Sequence, residues 1–380
     1  MAAYRGETRF RHDGPSAVGV LVSNLGTPAA PTASALRPYL KQFLSDPRVI
    51  ELPRGIWWLI LHLFVLTRRP AKSAALYRSI WRPEGSPLLV LSRRLADGLT
   101  ARLAGRARLP IRVALGMRYG SPSVAAALRE LAAAGCRRIL VLPLYPQYSA
   151  ATVASTYDAV FAELATWRWV PELRTVGGWH DQPGYVAALA ASIRELWDRE
   201  GEPERLMLSF HGTPRRYFES GDPYFCCCQK TARLTAERLG LAPERLVVSF
   251  QSRFGREEWL RPYTDETVAA LARGGVRSLD VASPAFAVDC LETLEELDGL
   301  NRKFFLDAGG ERFRYIPCLN DRADHLEFLA GLALSHLGGW LEEPRADGEA
   351  DPEAAAARRV ERARALATRL PGWGGTSAPG

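Results

Sequence analysis

The chain has 380 residues, 47% of them hydrophobic and 24% charged, and its net charge of +7 comes almost wholly from arginine. This is the composition of a soluble globular protein with enough surface to bury in two cores. A basic balance admits nucleic acid, an anionic membrane surface or a carboxylate-bearing ligand; no basic stripe is interleaved with aromatics, so nucleic acid ranks last, and arginine in place of lysine also fits a GC-rich genome.

Residues 1–15 are polar and lack an apolar h-region, so no signal peptide is expected. The six cysteines then read as reduced thiols of a cytosolic protein. The first apolar run, 17–22, predicts a strand that leads into Ser23-Asn24-Leu25-Gly26-Thr27-Pro28. The longest apolar stretch, Ile56 to Leu66, is about half of the roughly 20 residues a spanning helix needs. Arg54, Arg68, Arg69, Lys72 and Arg78 frame it. It reads as a lid or an interfacial helix, or equally as a buried core helix. Strands follow near 111–115 and 138–142. The second of these leads into Leu142-Pro143-Leu144-Tyr145-Pro146-Gln147-Tyr148-Ser149. Tyrosines flanked by prolines suit the wall of a planar aromatic ligand, and also an ordinary surface turn.

A boundary is expected near 170–185, giving domains at 17–175 and 176–338, with residues 53–86 as a lip on the first. The second half supplies strands near 205–209, 246–250 and 278–281. The strand at 205–209 ends in Ser209-Phe210-His211-Gly212-Thr213-Pro214. Gly212 and Pro214 shape a tight turn that projects the imidazole; the alternative is a histidine that satisfies a local backbone group. The strand at 278–281 leads to Asp289, Glu292 and Glu296, which share one face of a helix starting near Asp289. Asp289-x-x-Glu292 is also a capping box, which needs no metal. Glu296 is not explained by capping, and three acids on one face repel unless solvated or given a cation or proton. An imidazole facing a row of acids suits a site that handles a divalent metal and protons together. Cys226-Cys227-Cys228 lacks the CxxC spacing of zinc sites. Residues 340–380, rich in Ala, Arg, Glu and Gly, read as a partly helical, mobile tail.

The halves parallel one another. Val22–Pro28 resembles Leu208–Pro214, and Met117-Arg118-Tyr119-Gly120 resembles Ser252-Arg253-Phe254-Gly255. Each is followed by an Ala/Leu-rich helical stretch, a glycine and a strand ending in proline. The expected fold is therefore α/β, two similar doubly wound, Rossmann-like parallel-sheet domains with a cleft between them. Ligands sit beyond the carboxyl ends of such strands, where every motif above lies. No GxGxxG or P-loop occurs, which argues against a dinucleotide or ATP enzyme.

These motifs resemble the ferrochelatases, enzymes that insert ferrous iron into a porphyrin to make haem. The resemblance spans about 17–338 and rests on Asn24–Pro28, Gly116–Tyr119, Tyr145–Ser149, Ser209–Pro214 with Gly221-Asp222-Pro223-Tyr224, Gln251-Ser252-Arg253 and Asp289–Glu296. It implies that His211 and Glu292 are the catalytic pair and meet the Fe2+ substrate, with Asp289 and Glu296 continuing an acidic path for protons or metal. By motif position, Leu25, Arg69, Lys72, Tyr77, Ser86, Arg118 and Tyr145 would line the porphyrin pocket. Cys290 stands where animal members carry histidine. No cysteine follows Cys318, so the C-terminal [2Fe-2S] arrangement of some members is not expected, and no tightly bound cofactor is.

The implied reaction makes protohaem from protoporphyrin IX, the last step of haem biosynthesis. Coproporphyrin III is the alternative substrate, and a non-catalytic tetrapyrrole or metal carrier of the same fold is the alternative function. The apolar lip favours protoporphyrin. The expected location is cytoplasmic, with peripheral contact through 56–66 on the inner face of the membrane, and no nucleic-acid partner.

Overall fold

Two four-stranded parallel sheets of identical connectivity form the frame. The first has β1 (Ala17–Thr27), β2 (Ile111–Gly120), β3 (Cys136–Pro143) and β4 (Glu172–Thr175) in the order β2-β1-β3-β4. The second has β5 (Arg205–His211), β6 (Leu246–Gln251), β7 (Ser278–Ala282) and β8 (Arg312–Ile316) in the order β6-β5-β7-β8. The parallels read between the two halves of the sequence thus fall at equivalent strand ends. β1 and β5 sit at equivalent inner positions, and β2 and β6 at equivalent edges. This computed structural model describes residues 4–6, 16–255, 257–341 and, further on, 357, 358, 360–362, 364, 365 and 368. Most of the expected tail lies outside the described residues. Trp340, its first residue, is buried, and its indole N–H donates to Glu172 at 3.0 Å.

Helices cover both faces of each sheet. In the first half they are α1 (Ala33–Leu44), α2 (Arg54–Ile60), α3 (Leu66–Ile80), α4 (Pro87–Leu103), α5 (Val124–Ala133) and α6 (Ser155–Leu164). The second half has α7 (Pro183–Glu200), α8 (Arg215–Glu219), α9 (Tyr224–Leu239), α10 (Thr264–Arg273), α11 (Arg302–Asp307) and α12 (Ala323–Leu337). Three π-helical segments interrupt this pattern, at Leu61–Val65, Ala150–Ala154 and Glu292–Asn301.

Strand alternation divides the core. Val18, Val20 and Val22 face one core with α4 and α12, while Leu21 faces another with α5. The first of these cores continues through Trp179 and Tyr185 to Leu206, Leu208 and Phe210, so the two halves share it. Residues 176–338 include α12, yet α12 packs against α4 and β3 of the first half. Gly98 of α4 allows that approach, since a Cβ there would come within 2.6 Å of the Leu326 side chain.

A separate cluster supports the lip. Trp57, Leu61, Leu66, Ala74 and Tyr77 pack on Leu36, Tyr39 and Tyr119. The apolar run from Ile56 is therefore two-faced. Trp57 is 5% exposed, whereas Ile56, Trp58, Leu59, Leu63 and Phe64 are all 51–60% exposed. It is both a core helix and, among the described residues, an uncovered apolar surface. α3 also touches the Glu292–Asn301 segment of the second half, which closes the cleft on that side.

Candidate active site

His211 ends β5, hydrogen-bonded in register beside Gln251 of β6. Its Nδ1 lies 2.6 Å from the Gly212 carbonyl oxygen. A carbonyl only accepts, so Nδ1 carries the proton and Nε2 is the basic nitrogen. Gly212 is needed for the close approach that fixes this ring. A Cβ there would lie 2.8 Å from the Gln251 carbonyl oxygen and 3.1 Å from Trp259. The Trp259 and Phe286 rings flank the imidazole at 6.5 and 6.2 Å. The Trp259 indole N–H is buried and unpartnered.

The acids sit differently from their sequence spacing. The helix begins after Cys290, so Asp289 precedes it, and the run Glu292–Asn301 is a π-helix with i→i+5 bonds. No capping box forms. The Asp289 backbone N–H donates to the Asn320 side chain at 2.9 Å, and Cys290 N–H donates to Thr293 Oγ1 at 2.9 Å. Thr293 and Asn320 take the role that capping would have given Glu292. The Glu292 carbonyl accepts from Gln251 Nε2 at 2.8 Å, and Gln251 Oε1 accepts from Ser209 Oγ at 2.9 Å. One glutamine thus links the His211 strand to the Glu292 helix.

Glu292, Glu295 and Glu296 form the acid row. Burial raises the pKa of Glu296 above the usual carboxylate range, and the charge of Glu292 adds to the rise. The Ser252 hydrogen bond and the nearby His211 oppose it. Glu295 is raised by burial and by Glu292. Glu292 also faces the first half. Burial raises Tyr39 and Tyr77 first, and the Glu292 charge raises both further. The rings of those two tyrosines meet edge-on at 6.5 Å. His211, Glu292 and Glu296 therefore share one electrostatic environment. Asp289 does not join it: its buried carboxylate accepts from Tyr315, Asn320, Thr293 and the Cys318 backbone. Among the described residues no group of three or more His, Cys, Asp or Glu is arranged to hold a resident metal.

The expected porphyrin-pocket residues divide into engaged and free. Arg118 pairs with buried Asp46 and donates Nε to Ser155 at 2.7 Å. Burial pushes Asp46 up, but donors from Ser155, Tyr119 and the Arg48 backbone, with the Arg118 charge, hold it below the usual range. Sequence reading missed Asp46, because its partners lie 72 and 109 residues away and no local motif marks it. Ser86 accepts from Thr27 at 2.8 Å, tying the lip to β1. Leu25 is half-buried between the lip cluster and the shared core. It precedes Gly26 (φ 106°), where a Cβ would collide with the Tyr119 carbonyl. Tyr145 carries a buried, unpartnered hydroxyl. Arg69 and Lys72 have no carboxylate partner among the described residues. Burial lowers the Arg69 pKa, and its guanidinium lies 4.8 Å from the Phe254 ring across the cleft.

The sequence that carries these residues matches one family over most of its length. Residues 17–337 match the ferrochelatase family model. The chain belongs to the ferrochelatase family. It is a metal chelatase. It is 54% identical to the ferrochelatase of Nitrosococcus oceani over 366 residues, covering 96% of this chain and 99% of that relative. It is 55% identical to the ferrochelatase of Azoarcus sp. strain BH72 over 367 residues, covering 97% and 99%. Among solved structures, SirB from Bacillus subtilis with Fe3+ superposes with a TM-score of 0.50 at 11% identity, covering 67% of this chain and 93% of that one. At that identity the likeness concerns the chelatase fold. Within this ferrochelatase-family chain, the cysteines at 226–228 diverge: Cys226 is exposed on α9, while Cys227 and Cys228 face inward.

Proposed function

We propose that this chain inserts Fe2+ into protoporphyrin IX to form protohaem, the last step of haem biosynthesis, without ATP. The observation that supports this most directly is His211, with Nε2 left basic, sharing one environment with Glu292 and half-buried Glu296, whose pKa is raised by burial. Insertion of Fe2+ releases two pyrrole protons, so a base must stand beside the macrocycle, and neutral imidazole serves near pH 7. Carboxylates bind Fe2+ loosely enough to release it, unlike a thiolate cage. In this reading His211 takes a pyrrole proton, Glu292 meets the incoming iron, and Glu296 passes protons toward solvent. Arg69 and Lys72 anchor the propionates by charge-assisted hydrogen bonds. Tyr77 and Tyr145 line the ring face, and Arg118 and Ser86 hold the pocket walls through Asp46 and Thr27. Porphyrin held by its rim is strained toward a saddle, which exposes the nitrogen lone pairs to iron.

The exposed lip at 56–64 supports a cytoplasmic protein with peripheral contact on the inner face of the membrane, and an apolar substrate over the more carboxylated coproporphyrin III. A non-catalytic carrier would have no use for the acid row. The deciding assay is anaerobic Fe2+ with each porphyrin, followed by absorbance. Protoporphyrin is expected to be metallated faster. His211→Ala is expected to abolish insertion while porphyrin affinity stays within about tenfold. Near-normal turnover in that variant would rule out the assignment.

A further inference from the structure

Among the described residues, two non-glycine positions adopt left-handed backbone, Ser252 (φ 67°) and Asn320 (φ 49°). Such conformations persist where surroundings over-determine them. Each of these residues holds an acid near the N-terminus of the π-helix. Ser252 holds Glu296, and Asn320 holds Asp289. The second pairing is reciprocal. Asn320 Nδ2 donates to Asp289 Oδ2 at 2.7 Å, and the Asp289 backbone N–H donates to Asn320 Oδ1 at 2.9 Å.

The remaining oxygen of Asp289 is fully used. Oδ1 accepts from Tyr315 OH at 2.6 Å, Thr293 Oγ1 at 3.1 Å and the Cys318 N–H at 3.2 Å. Asn320 is itself fixed from both sides. Its backbone N–H donates to the Ala287 carbonyl at 2.9 Å, and its carbonyl lies 2.8 Å from Nδ1 of fully buried His325. The turn after β7 and the turn after β8 are thereby joined side chain to side chain, immediately ahead of Glu292. No cation is among the partners of this carboxylate.

We infer that Asp289 and Asn320 form a clasp that fixes where the π-helix starts, so that Asp289 positions Glu292 and Glu296 and is not a ligand in the iron or proton path. This carboxylate accepts three hydrogen bonds on Oδ1 and one on Oδ2, all from neutral donors of its own domain, and is 3% exposed, so it is enclosed by the fold and not open to the cleft. Its effect on the reaction passes through the placement of Glu292. The inference rests on the reading of Glu292 as the group that meets iron opposite His211.

The pairing makes a swap possible. In Asp289→Asn/Asn320→Asp the carboxylate moves to 320, where one oxygen accepts the 289 backbone N–H and the other accepts the new Asn amide. The Asn carbonyl at 289 still accepts from Tyr315, Thr293 and Cys318. Aspartate also tolerates the left-handed backbone at 320. Each single change leaves a mismatch. Asp289→Asn sets two amide N–H groups face to face, and Asn320→Asp sets a second carboxylate against the buried one.

The experiment measures melting temperature, kcat and KM for Fe2+ insertion in the native chain, both single variants and the swap. Each single variant is expected to melt several degrees lower and to lose about 10²-fold in kcat, with porphyrin KM within about threefold. The swap is expected to regain the melting temperature and to return kcat to within about threefold of native. A swap that melts like the native chain but keeps the kcat of Asp289→Asn would place the carboxylate at 289 in the reaction and overturn the inference. A swap that regains no melting temperature over the single variants would overturn it as well. If the native chain inserts no iron, the functional reading fails, and the melting cycle alone still decides the clasp.

Discussion

Ser252 donates to both carboxylate oxygens of Glu296, its backbone N–H to Oε1 at 2.8 Å and its hydroxyl to Oε2. The residue follows β6, so the strand beside the histidine strand grips the acid helix. Gln251, one position earlier, grips the Glu292 carbonyl and Ser209. The left-handed backbone at Ser252 turns the chain out of the sheet just where its N–H and hydroxyl meet Glu296. The geometry of His211 and the acids is therefore set by one two-residue segment between them.

Glu296 carries a pH signature. Its pKa is raised in the folded protein by burial, so the native state keeps a proton that the unfolded chain has released. In that window, upward from the ordinary value of 4.5, stability falls as pH rises. Glu296→Gln keeps an acceptor for the Ser252 N–H and removes the charge. The variant is expected to melt above the native protein at pH 8, with the gain shrinking toward pH 4, while insertion activity drops. Thermal melts across that pH range measure it. A variant less stable than native at pH 8 would mean that the Ser252 bonds outweigh burial.

Glu292→Gln separates catalysis from helix capping. Thr293 and Asn320 do the capping at this terminus, and the Glu292 side chain meets the buried Cys290 thiol, a contact that a glutamine amide can keep. The melting temperature is expected to stay within about 2 °C, since the near-isosteric change removes no cap and no packing volume. Turnover is expected to fall by about 10² or more, the range of a lost acid–base group. A fully active Gln variant would remove Glu292 from the reaction.

The six strands with apolar runs were legible because both faces of a parallel sheet are covered. β4 (Glu-Leu-Arg-Thr) and β8 (Arg-Phe-Arg-Tyr-Ile) were not, being short edge strands with charges at alternate positions. His211 and Glu292 stand out as candidates in the sequence because they follow the turns that end β5 and β7. Asp289 reads as part of the acid face only if the helix begins with it, and the helix starts two residues later, at Leu291. The π-helix has no periodic signature in ten residues, and Ser252 and Asn320 meet their acids 44 and 31 residues away in sequence, a pairing that no local pattern encodes. Arg118 was legible as a cation at a strand end, but its partner Asp46 was not, because only the fold brings them together.

The lip gives the final prediction. Trp57 is buried and its indole N–H donates to the Leu44 carbonyl at 2.6 Å, so it belongs to the fold. Ile56, Trp58, Leu59, Leu63 and Phe64 belong to a surface that nothing among the described residues covers. Burying each such side chain is worth about 1.5–3 kcal/mol, and a cationic rim at Arg54, Arg68 and Lys72 adds attraction to anionic headgroups. No helix of the described residues is long and apolar enough to cross a membrane, so the contact is expected to be peripheral and reversible. Replacing Trp58, Leu59 and Leu63 together with serine is expected to abolish co-sedimentation with anionic vesicles at low salt without lowering the melting temperature. Uptake of protoporphyrin should fall while a water-soluble porphyrin is metallated with little loss. Trp57→Ser, in contrast, should destabilise the protein. Vesicle binding that survives the triple substitution would place the membrane contact elsewhere on the molecule.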